Sequence, residues 1–217
     1  MVCWCVFVPC YKDLKAVMAA RTLWCSSSNV LACCSEIFNS FIKLRENIKS
    51  DRNTLVVKVV DILNKTTISP ENRRINHFYE HNNVIYIGTN YGISVYNLQA
   101  LEFGDTFYIG TNGSQVQVKQ TVVFNNDLYA ATNAGLKTAD LNNPNLIDFQ
   151  FWGTLATGNF TAINSVENNL YAVKSDNNLY KIMGSNLELS LNFSEIVVDL
   201  KSNDDFLLVV TNDNVYR

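Results

Sequence analysis

The chain has 217 residues, 47% of them hydrophobic, and its 17 basic and 20 acidic side chains give a net charge of −3. This composition is that of a globular protein with enough apolar residues to fill a core. No basic cluster of the kind that binds nucleic acids or anionic membranes is present, so we exclude both as partners. No apolar run reaches the roughly 18 residues of a membrane-spanning helix, and no basic leader of an export signal precedes the first apolar stretch.

The first fifty residues differ in character from the rest. They contain all six cysteines, whereas the first glycine of the chain is Gly88. Apolar residues recur at helical spacing behind Ser28 and Asn29, which predicts an amphipathic helix to about Asn47, and a weaker helical pattern covers residues 13–24. We interpret residues 1–50 as a cysteine-rich helical appendage. The alternative is that they come from a frameshift or a wrong start joined to a genuine domain.

The cysteines do not have the spacing of a metal site. They are Cys3, Cys5, Cys10, Cys25, Cys33 and Cys34. Their spacing matches none of the usual zinc motifs and no histidine lies near them in the sequence, so we predict no metal there. Buried or unpaired thiols on a helical appendage are the simpler interpretation.

Residues 82–96, NNVIYIGTNYGISVY, return later in the chain as NNDLYAATNAGLKTA. Aligning Tyr86, Tyr129, Tyr171 and Leu208 gives four units spaced by 43, 42 and 37 residues. A period of about 40 residues is typical of solenoids and propellers. Each unit consists of a short apolar run, a polar turn and a second apolar run, and this pattern predicts a β-hairpin.

Turn-forming residues occupy equivalent places in the four units. The turn between the two apolar runs contains Gly92, Gly135, Asn178 and Asn214, and the turn before the first run contains Asn82-Asn83, Asn125-Asn126, Asn168-Asn169 and Asp204-Asp205. Glycine and asparagine accept positive φ most readily, and Asn and Asp side chains bond to their own backbone in chain reversals. We therefore predict positive φ at the first set and chain reversals at the second.

Two further strands extend each hairpin. The preceding strands are predicted at 74–81, 115–124, 160–166 and 196–201, and the following strands at 105–111, 148–155 and 187–193. Four antiparallel strands in a repeat of about 40 residues form a propeller blade. The second strands, such as VIYIGT and LYAAT, are apolar on both faces and carry small residues, as expected for a blade that packs between two neighbours.

We predict an all-β fold, an incomplete β-propeller of four-stranded antiparallel blades with an N-terminal helical appendage. The propeller covers residues 53–217, with full blades at 74–112, 115–155 and 160–194 and a partial blade at 196–217. Residues 53–63 are interpreted as an outer strand of an earlier blade. Because a closed propeller needs at least about four blades, we expect a fragment whose exposed blade edges can self-associate.

No residue pattern indicates a catalytic, cofactor-binding or metal-binding site. His77 and His81 are four apart on a predicted strand, where that spacing does not converge two ligands, so we interpret both as surface residues. Nucleophile-elbow, phosphate-loop and zinc-protease motifs are absent, and we predict a non-enzyme without cofactor. The loop carboxylates Asp176, Asp204, Asp205 and Asp213 lack the ordered alternation of an EF-hand calcium loop. Glycosylation sequons occur at Asn64, Asn112, Asn159 and Asn192, but chance matches are expected in so asparagine-rich a chain.

The repeated pattern L/I-Y-x-G/A-T-N-x-G-I/L resembles the short repeats of the two-component-regulator propeller superfamily. The succession INHFYEHNN, GISVYNL and EFGDTFYIG, within residues 59–152, more specifically resembles the amino-terminal propeller of PorZ-like proteins. These are cell-surface components of the Bacteroidetes type IX secretion system. The resemblance covers about residues 59–217, or three quarters of the chain.

This resemblance implies a non-catalytic scaffold at the outer membrane or cell surface, in contact with other secretion-complex proteins during cargo secretion and attachment. Sugar-lipid handling in that family is associated with a carboxy-terminal domain outside the matched segment, so no binding residue is carried over. The alternative is the periplasmic ligand-sensing propeller of a hybrid two-component sensor kinase, which the generic repeat favours.

Overall fold

A computed structural model describes residues 59–203 and 205–217. The predicted N-terminal helices, all the cysteines and the predicted domain boundary near residue 50 lie outside the described residues. The chain divides into two units, Met1–Asn64 and Lys65–Arg217. The described part of the first unit contains a short helix, α1 (Val60–Leu63). The prediction of a strand over 53–63 is therefore wrong at its last four residues, because so short an apolar run has no period that separates strand from helix.

The second unit contains four antiparallel sheets, three with four strands and one with three, and in each sheet neighbouring strands follow chain order. We call these sheets blades 1 to 4. Blade 1 consists of β1 (Ile75–His81), β2 (Val84–Thr89), β3 (Ile93–Asn97) and β4 (Glu102–Phe107). Blade 2 consists of β5 (Val118–Phe124), β6 (Asp127–Thr132), β7 (Gly135–Asp140) and β8 (Gly153–Ala156).

Blades 3 and 4 repeat this order. Blade 3 consists of β9 (Phe160–Val166), β10 (Asn169–Lys174), β11 (Asn178–Met183) and β12 (Asn186–Asn192). Blade 4 consists of β13 (Val197–Ser202), β14 (Leu207–Thr211) and β15 (Val215–Tyr216). The prediction of an all-β propeller built from four-stranded antiparallel blades is confirmed.

The outer strands of blades 1 and 2 begin or end at other residues than predicted. β4 ends at Phe107 rather than continuing to residue 111, and Ile109 behind it is buried in the core instead. In blade 2 the first part of the predicted strand is a 3-10 helix, Phe149–Phe151, and the carboxylate of Asp148 accepts a hydrogen bond from its second residue. The other 3-10 helices of the described residues are Pro70–Arg73 and Thr111–Gly113.

In blades 1 and 2 the first hairpin turn lies at the predicted asparagines. All four residues have positive φ: Asn82, Asn83, Asn125 and Asn126, at 51°, 65°, 50° and 67°. Consecutive positive φ is the geometry of the tight turns that suit twisted hairpins. In blade 3 the turn lies one residue earlier than predicted, because Asn169 pairs with Val166 and the positive φ falls on Glu167. The blade 4 turn includes residue 204, which lies outside the described residues.

The second hairpin turn confirms the predicted glycines but not the predicted asparagines. Gly92 and Gly135 have φ of 147° and 120°. A Cβ on Gly92 would lie 2.2 Å from the carbonyl oxygen of Phe107, and a Cβ on Gly135 would lie 2.7 Å from that of Ala156. Positive φ is wrong for Asn178 and Asn214; in blade 3 Asn177 takes it.

A threonine ends the second strand of blades 1, 2 and 4 and closes the turn that follows. The Thr132 hydroxyl donates to the carbonyl of Gly135 at 2.6 Å and accepts from the amide of Ala134 at 3.1 Å. Thr89 and Thr211 bond in the same way to the carbonyls of Gly92 and Asn214. This buried threonine explains why the T-N-x-G stretch recurs in the repeat.

The core lies between consecutive blades. One cluster joins blades 1 and 2, a second joins blades 2 and 3, and a third joins blades 3 and 4. Small residues allow close approach, as predicted: a Cβ on Gly88 would lie 3.2 Å from a Val118 methyl carbon, and Ala130, Ala131 and Ala172 are fully buried. Within the described part of the chain, no helix has the length and apolar character needed to cross a membrane.

Candidate functional site

The first strands of the four blades, β1, β5, β9 and β13, lie side by side and form the inner wall of the blade array. Each contacts the first strand of the next blade. Every one of them carries a β-bulge at the same place, where one residue is left out of the ladder with the second strand. These bulge residues are Asn76, Lys119, Thr161 and Val198.

In blades 1 and 2 the residue after the bulge reaches the next blade. The residues after the four bulges are His77, Gln120, Ala162 and Asp199, which pair with equivalent residues of the second strands. The amide of Thr121 donates to Nδ1 of His77 at 3.4 Å, and the amide of Ile163 donates to Oε1 of Gln120 at 3.1 Å. In blades 1 and 2 the same position therefore accepts a backbone hydrogen bond from the following inner strand.

Gln120 also connects to blade 4. Its Nε2 donates to the carbonyl of Leu200 at 2.8 Å, and the same carbonyl accepts from the side-chain amide of Asn164 at 3.0 Å. Oδ1 of Asn164 in turn accepts from the hydroxyl of Ser202 at 3.0 Å. These bonds join the inner strands of blades 2, 3 and 4 through one buried glutamine.

Asp199 and Lys201 form an ion pair on β13, with 3.1 Å between Oδ2 and Nζ. Burial raises the pKa of the Asp199 carboxyl above its ordinary value of 3.8, although Lys201 and a hydrogen bond from Gln120 act in the opposite direction. Desolvation disfavours the charged carboxylate, and the nearby ammonium offsets only part of that cost. The Asp199 carboxyl therefore loses its proton less readily than an exposed aspartate does, even beside the Lys201 ammonium.

His77 is half-buried on β1, and it contacts the next blade, which the sequence analysis did not predict. Burial holds the pKa of its imidazole well below 6.5, and the Lys201 ammonium lowers it further. Because Nδ1 accepts the amide hydrogen of Thr121, the neutral ring carries its proton on Nε2. We call His77, Gln120, Asn164, Asp199, Lys201 and Ser202 the inner-strand cluster.

Two other polar residues considered in the sequence analysis, His81 and Asp176, lie at turns. Nε2 of His81 lies 2.9 Å from the side-chain amide nitrogen of Asn82, at the end of β1. Oδ1 of Asp176 accepts the amide of Asn178, across the turn that precedes β11. Within residues 59–203 and 205–217, no three His, Cys, Asp or Glu side chains lie close enough together to hold a metal ion.

The inner-strand cluster was missed by the sequence interpretation, although a signal for it was present. Applying the repeat spacings of 43, 42 and 37 residues to His77 gives Gln120, Ala162 and Asp199. Polar residues at three of the four equivalent positions of the repeat indicate a shared role. Their chemistry is hydrogen bonding between blades, together with one ion pair within β13.

Residues 46–153 match the family model described as TSS9, PorZ, N-terminal beta-propeller domain. No curated protein matches the chain. Among solved structures, PorZ of Porphyromonas gingivalis, described as an essential bacterial surface component of the type-IX secretion system, has a TM-score of 0.59. It is 17% identical, with 76% of this chain and 22% of that chain covered.

The extracellular domain of BT4673 from B. thetaiotaomicron, described as a one component system, is similar with a TM-score of 0.56. It is 14% identical over 76% of this chain and 23% of that one. The WD40 β-propeller domain of Doa1 has a TM-score of 0.51 and 13% identity, over 65% and 49% of the two chains. At these identities the structural similarity shows the fold, and the chain spans about a fifth of the length of the first two proteins.

Blade 1 and most of blade 2 lie inside the matched segment, and the whole described array has the propeller fold of the solved structures. Residues 46–153 therefore match the PorZ N-terminal β-propeller family, and the blades described within that segment have the propeller fold.

Proposed function

We propose that the chain is a non-catalytic scaffold that contacts other proteins of a type IX secretion complex at the cell surface during cargo secretion and attachment. The observation that carries this proposal is the family match over residues 46–153. PorZ of P. gingivalis is described as a surface component of that system, which supports the same location and partners for this chain.

The chemistry of the inner-strand cluster supports a structural role rather than catalysis. The side-chain amides of Gln120 and Asn164 form hydrogen bonds with backbone and side-chain groups of neighbouring blades. Asp199 is paired with Lys201, and His77 holds an amide of the next blade. Groups that are engaged in this way stabilise the array but leave no nucleophile beside a free base, which acyl or phosphoryl transfer would need.

The outer strand of blade 3 supplies a candidate contact surface. Strand β12 is exposed at six of its seven residues. Leu189 and Leu191 on it are 57% and 56% exposed, and Met183 at the end of the neighbouring strand is 53% exposed. Apolar side chains on an exposed sheet edge favour strand pairing or packing with another protein. We infer that this edge is where a partner of the complex docks.

Photo-crosslinking in the cells that make the protein tests this function. A photoreactive amino acid placed at Leu189 in the full chain should crosslink to surface proteins of the secretion complex or to their cargo. The matched control is the same amino acid at Asp105, an exposed residue on the outer strand β4 of blade 1. Identical products from the two positions, or products unrelated to secretion, would contradict the proposed docking edge.

A second candidate is the ligand-sensing propeller of a two-component sensor. The similarity to the extracellular domain of BT4673, with a TM-score close to that of PorZ, favours it. Deleting the gene separates the two functions. A scaffold predicts that secreted cargo accumulates inside the cell, whereas a sensor predicts altered transcription with cargo still at the surface.

A further inference from the structure

In blades 1, 2 and 3 one pair of residues on the second and third strands faces the next blade. The strand register gives these pairs as Gly88 with Ile93, Ala131 with Leu136, and Val173 with Leu179. The third-strand residue of each pair belongs to the core cluster that joins its blade to the following one. It is 0%, 0% and 3% exposed in the three blades. The position therefore marks the face that each blade buries against its successor.

In blade 4 the equivalent pair is Val210 with Val215. Val215 is 57% exposed and Val210 is half-buried. Val198, at the bulge of β13, is 54% exposed, whereas its equivalent in blade 1, Asn76, donates to the carbonyl of Val118 in the next blade at 2.8 Å. We call Val198, Val210 and Val215 the valine face. It lies where blades 1 to 3 each have a neighbouring blade.

The other end of the array is not open in this way. On β2, Ile85 and Ile87 alternate with Tyr86 and Gly88, which face blade 2, so the two isoleucines point away from blade 2. Ile85 is 3% exposed and Ile87 is fully buried. Within the described part of the chain, blade 1 therefore offers no open sheet face that could receive the valine face of another copy.

The chemistry of the valine face suits contact with an identical face. Exposed apolar side chains on a sheet favour burial against another apolar surface. The charged groups beside the valines are Asp199, which pairs with Val210 in the ladder, and Lys201, and they form a neutral pair with 3.1 Å between Oδ2 and Nζ. Two copies of this surface therefore meet without strong repulsion between like charges.

We propose that the valine face packs against the valine face of a second copy of the chain, in a dimer with two-fold symmetry. Each copy then covers the positions that the following blade covers in blades 1 to 3, so the contact continues the series of cores between blades. A two-fold contact uses the same surface on both copies and stops at two chains. This inference does not depend on the scaffold function, because the docking edge proposed for a partner lies on blade 3.

Sedimentation velocity of the full chain over a range of concentrations tests the proposal. We expect a concentration-dependent equilibrium between monomer and dimer, without larger species. Val215→Asp should weaken dimerisation on the order of a hundredfold, because each dimer loses two apolar contacts. The strand β15 should stay in place in this variant, since the hydroxyl of Tyr216 and the side-chain amide of Asn214 both donate to Glu195 at 2.8 Å. The matched control is Leu189→Asp, at a residue of blade 3 that is also 57% exposed, and it should leave the dimer unchanged.

A photoreactive amino acid at position 215 maps the contact without relying on the stability of the aspartate variant. It should give covalent dimers in which the linked peptide comes from blade 4 of the second copy. Crosslinks to blade 1 would overturn the proposal in favour of head-to-tail association. Equal weakening by Leu189→Asp would overturn it in favour of a contact through blade 3. Monomers at every concentration would also overturn it, and would leave the valine face to a blade of another protein.

Discussion

His77 and Gln120 occupy equivalent positions on consecutive inner strands and form the same kind of hydrogen bond with different side chains. Each accepts a backbone amide from the next blade, His77 through Nδ1 and Gln120 through Oε1. The imidazole can do this only when neutral, because a protonated ring has no acceptor nitrogen. A glutamine has no such dependence, so one position is sensitive to pH and its equivalent is not.

Acidification should therefore destabilise the fold through His77. Its folded pKa lies well below 6.5, so below about pH 6.5 the unfolded chain binds one proton more than the folded chain. Stability should fall as the pH drops, by about 1.4 kcal/mol per pH unit, until the pH reaches the folded pKa. Denaturant unfolding across this range measures the slope.

The variant His77→Gln isolates this effect, because glutamine can keep the bond to Thr121 as Gln120 keeps its own bond. The difference in unfolding free energy between the variant and the wild type should grow as the pH falls below about 6.5. Asp199, whose raised pKa stabilises the fold at low pH and loses that effect as the pH rises through the folded value, is present in both proteins and cancels. Parallel pH profiles for the two proteins would show that His77 is not the titrating group.

Gly92→Ala should be strongly destabilising. The new Cβ would lie 2.2 Å from the carbonyl oxygen of Phe107, on a backbone with φ of 147°. Relief requires moving β4 away from β3, and we expect a loss of about 2–4 kcal/mol of unfolding free energy. Gly104→Ala is the control, because its nearest neighbour would be a Val95 methyl carbon at 3.8 Å, and it should change stability by less than about 0.5 kcal/mol. Equal melting temperatures for the two variants would refute the close approach.

At the scale of the strand and its turn, the buried threonines connect the second and third strands of a blade. Thr132 is fully buried and both donates and accepts across the turn before β7. Thr121 on β5 is also buried, but its hydroxyl has no hydrogen-bond partner within residues 59–203 and 205–217. The two threonines thus have the same side chain and burial but opposite hydrogen-bond status.

Replacing each threonine by valine should have opposite effects on stability. Thr132→Val leaves the amide of Ala134 and the carbonyl of Gly135 without their partner, and should cost about 1–3 kcal/mol. Thr121→Val removes a hydroxyl that is buried without compensation, and should be neutral or stabilising. Thermal unfolding of the two variants compares them directly. A larger loss at Thr121 than at Thr132 would contradict this assignment of the hydrogen bonds.

The strands could be predicted from sequence to the extent that their burial leaves a pattern. The first strand of blade 3, Phe160–Val166, agrees with its prediction at both ends, because apolar residues and turn asparagines frame it. The outer strand of blade 1 is displaced, since the apolar residues of DTFYIG belong partly to a buried connection that includes Ile109. Outer strands are exposed and lack alternation, so their ends follow from tertiary packing rather than from local sequence.

At the scale of the whole array, Gln120 joins three blades. From blade 2 it contacts the backbone of blade 3 at Ile163 and of blade 4 at Leu200. Such a contact depends on how three sheets stack around the inner wall. No local pattern specifies that stacking, which is why the sequence predicted the blades but not the inner-strand cluster.

Gln120→Met should weaken the connection between blades while preserving side-chain volume. The amide of Ile163 loses its acceptor, whereas the carbonyl of Leu200 keeps its bond from Asn164, so the expected cost is about 1–3 kcal/mol. Hydrogen exchange should show faster exchange at Ile163 than in the wild type. Gln150→Met, at an exposed residue of the 3-10 helix Phe149–Phe151, is the control and should leave stability and exchange unchanged. Unchanged protection of Ile163 in the Gln120 variant would refute the connection.

The repeated bulge on the inner strands gives each blade one position whose side chain can vary while the strand pairing stays the same. The four bulge residues carry an amide, an ammonium, a hydroxyl and an alkyl group, namely Asn76, Lys119, Thr161 and Val198. None of them takes part in the ladder with the second strand, so each can change without shifting the register of its blade. Selection can therefore change the chemistry of this surface one residue at a time, and related propellers can diverge in ligand while keeping the same blades.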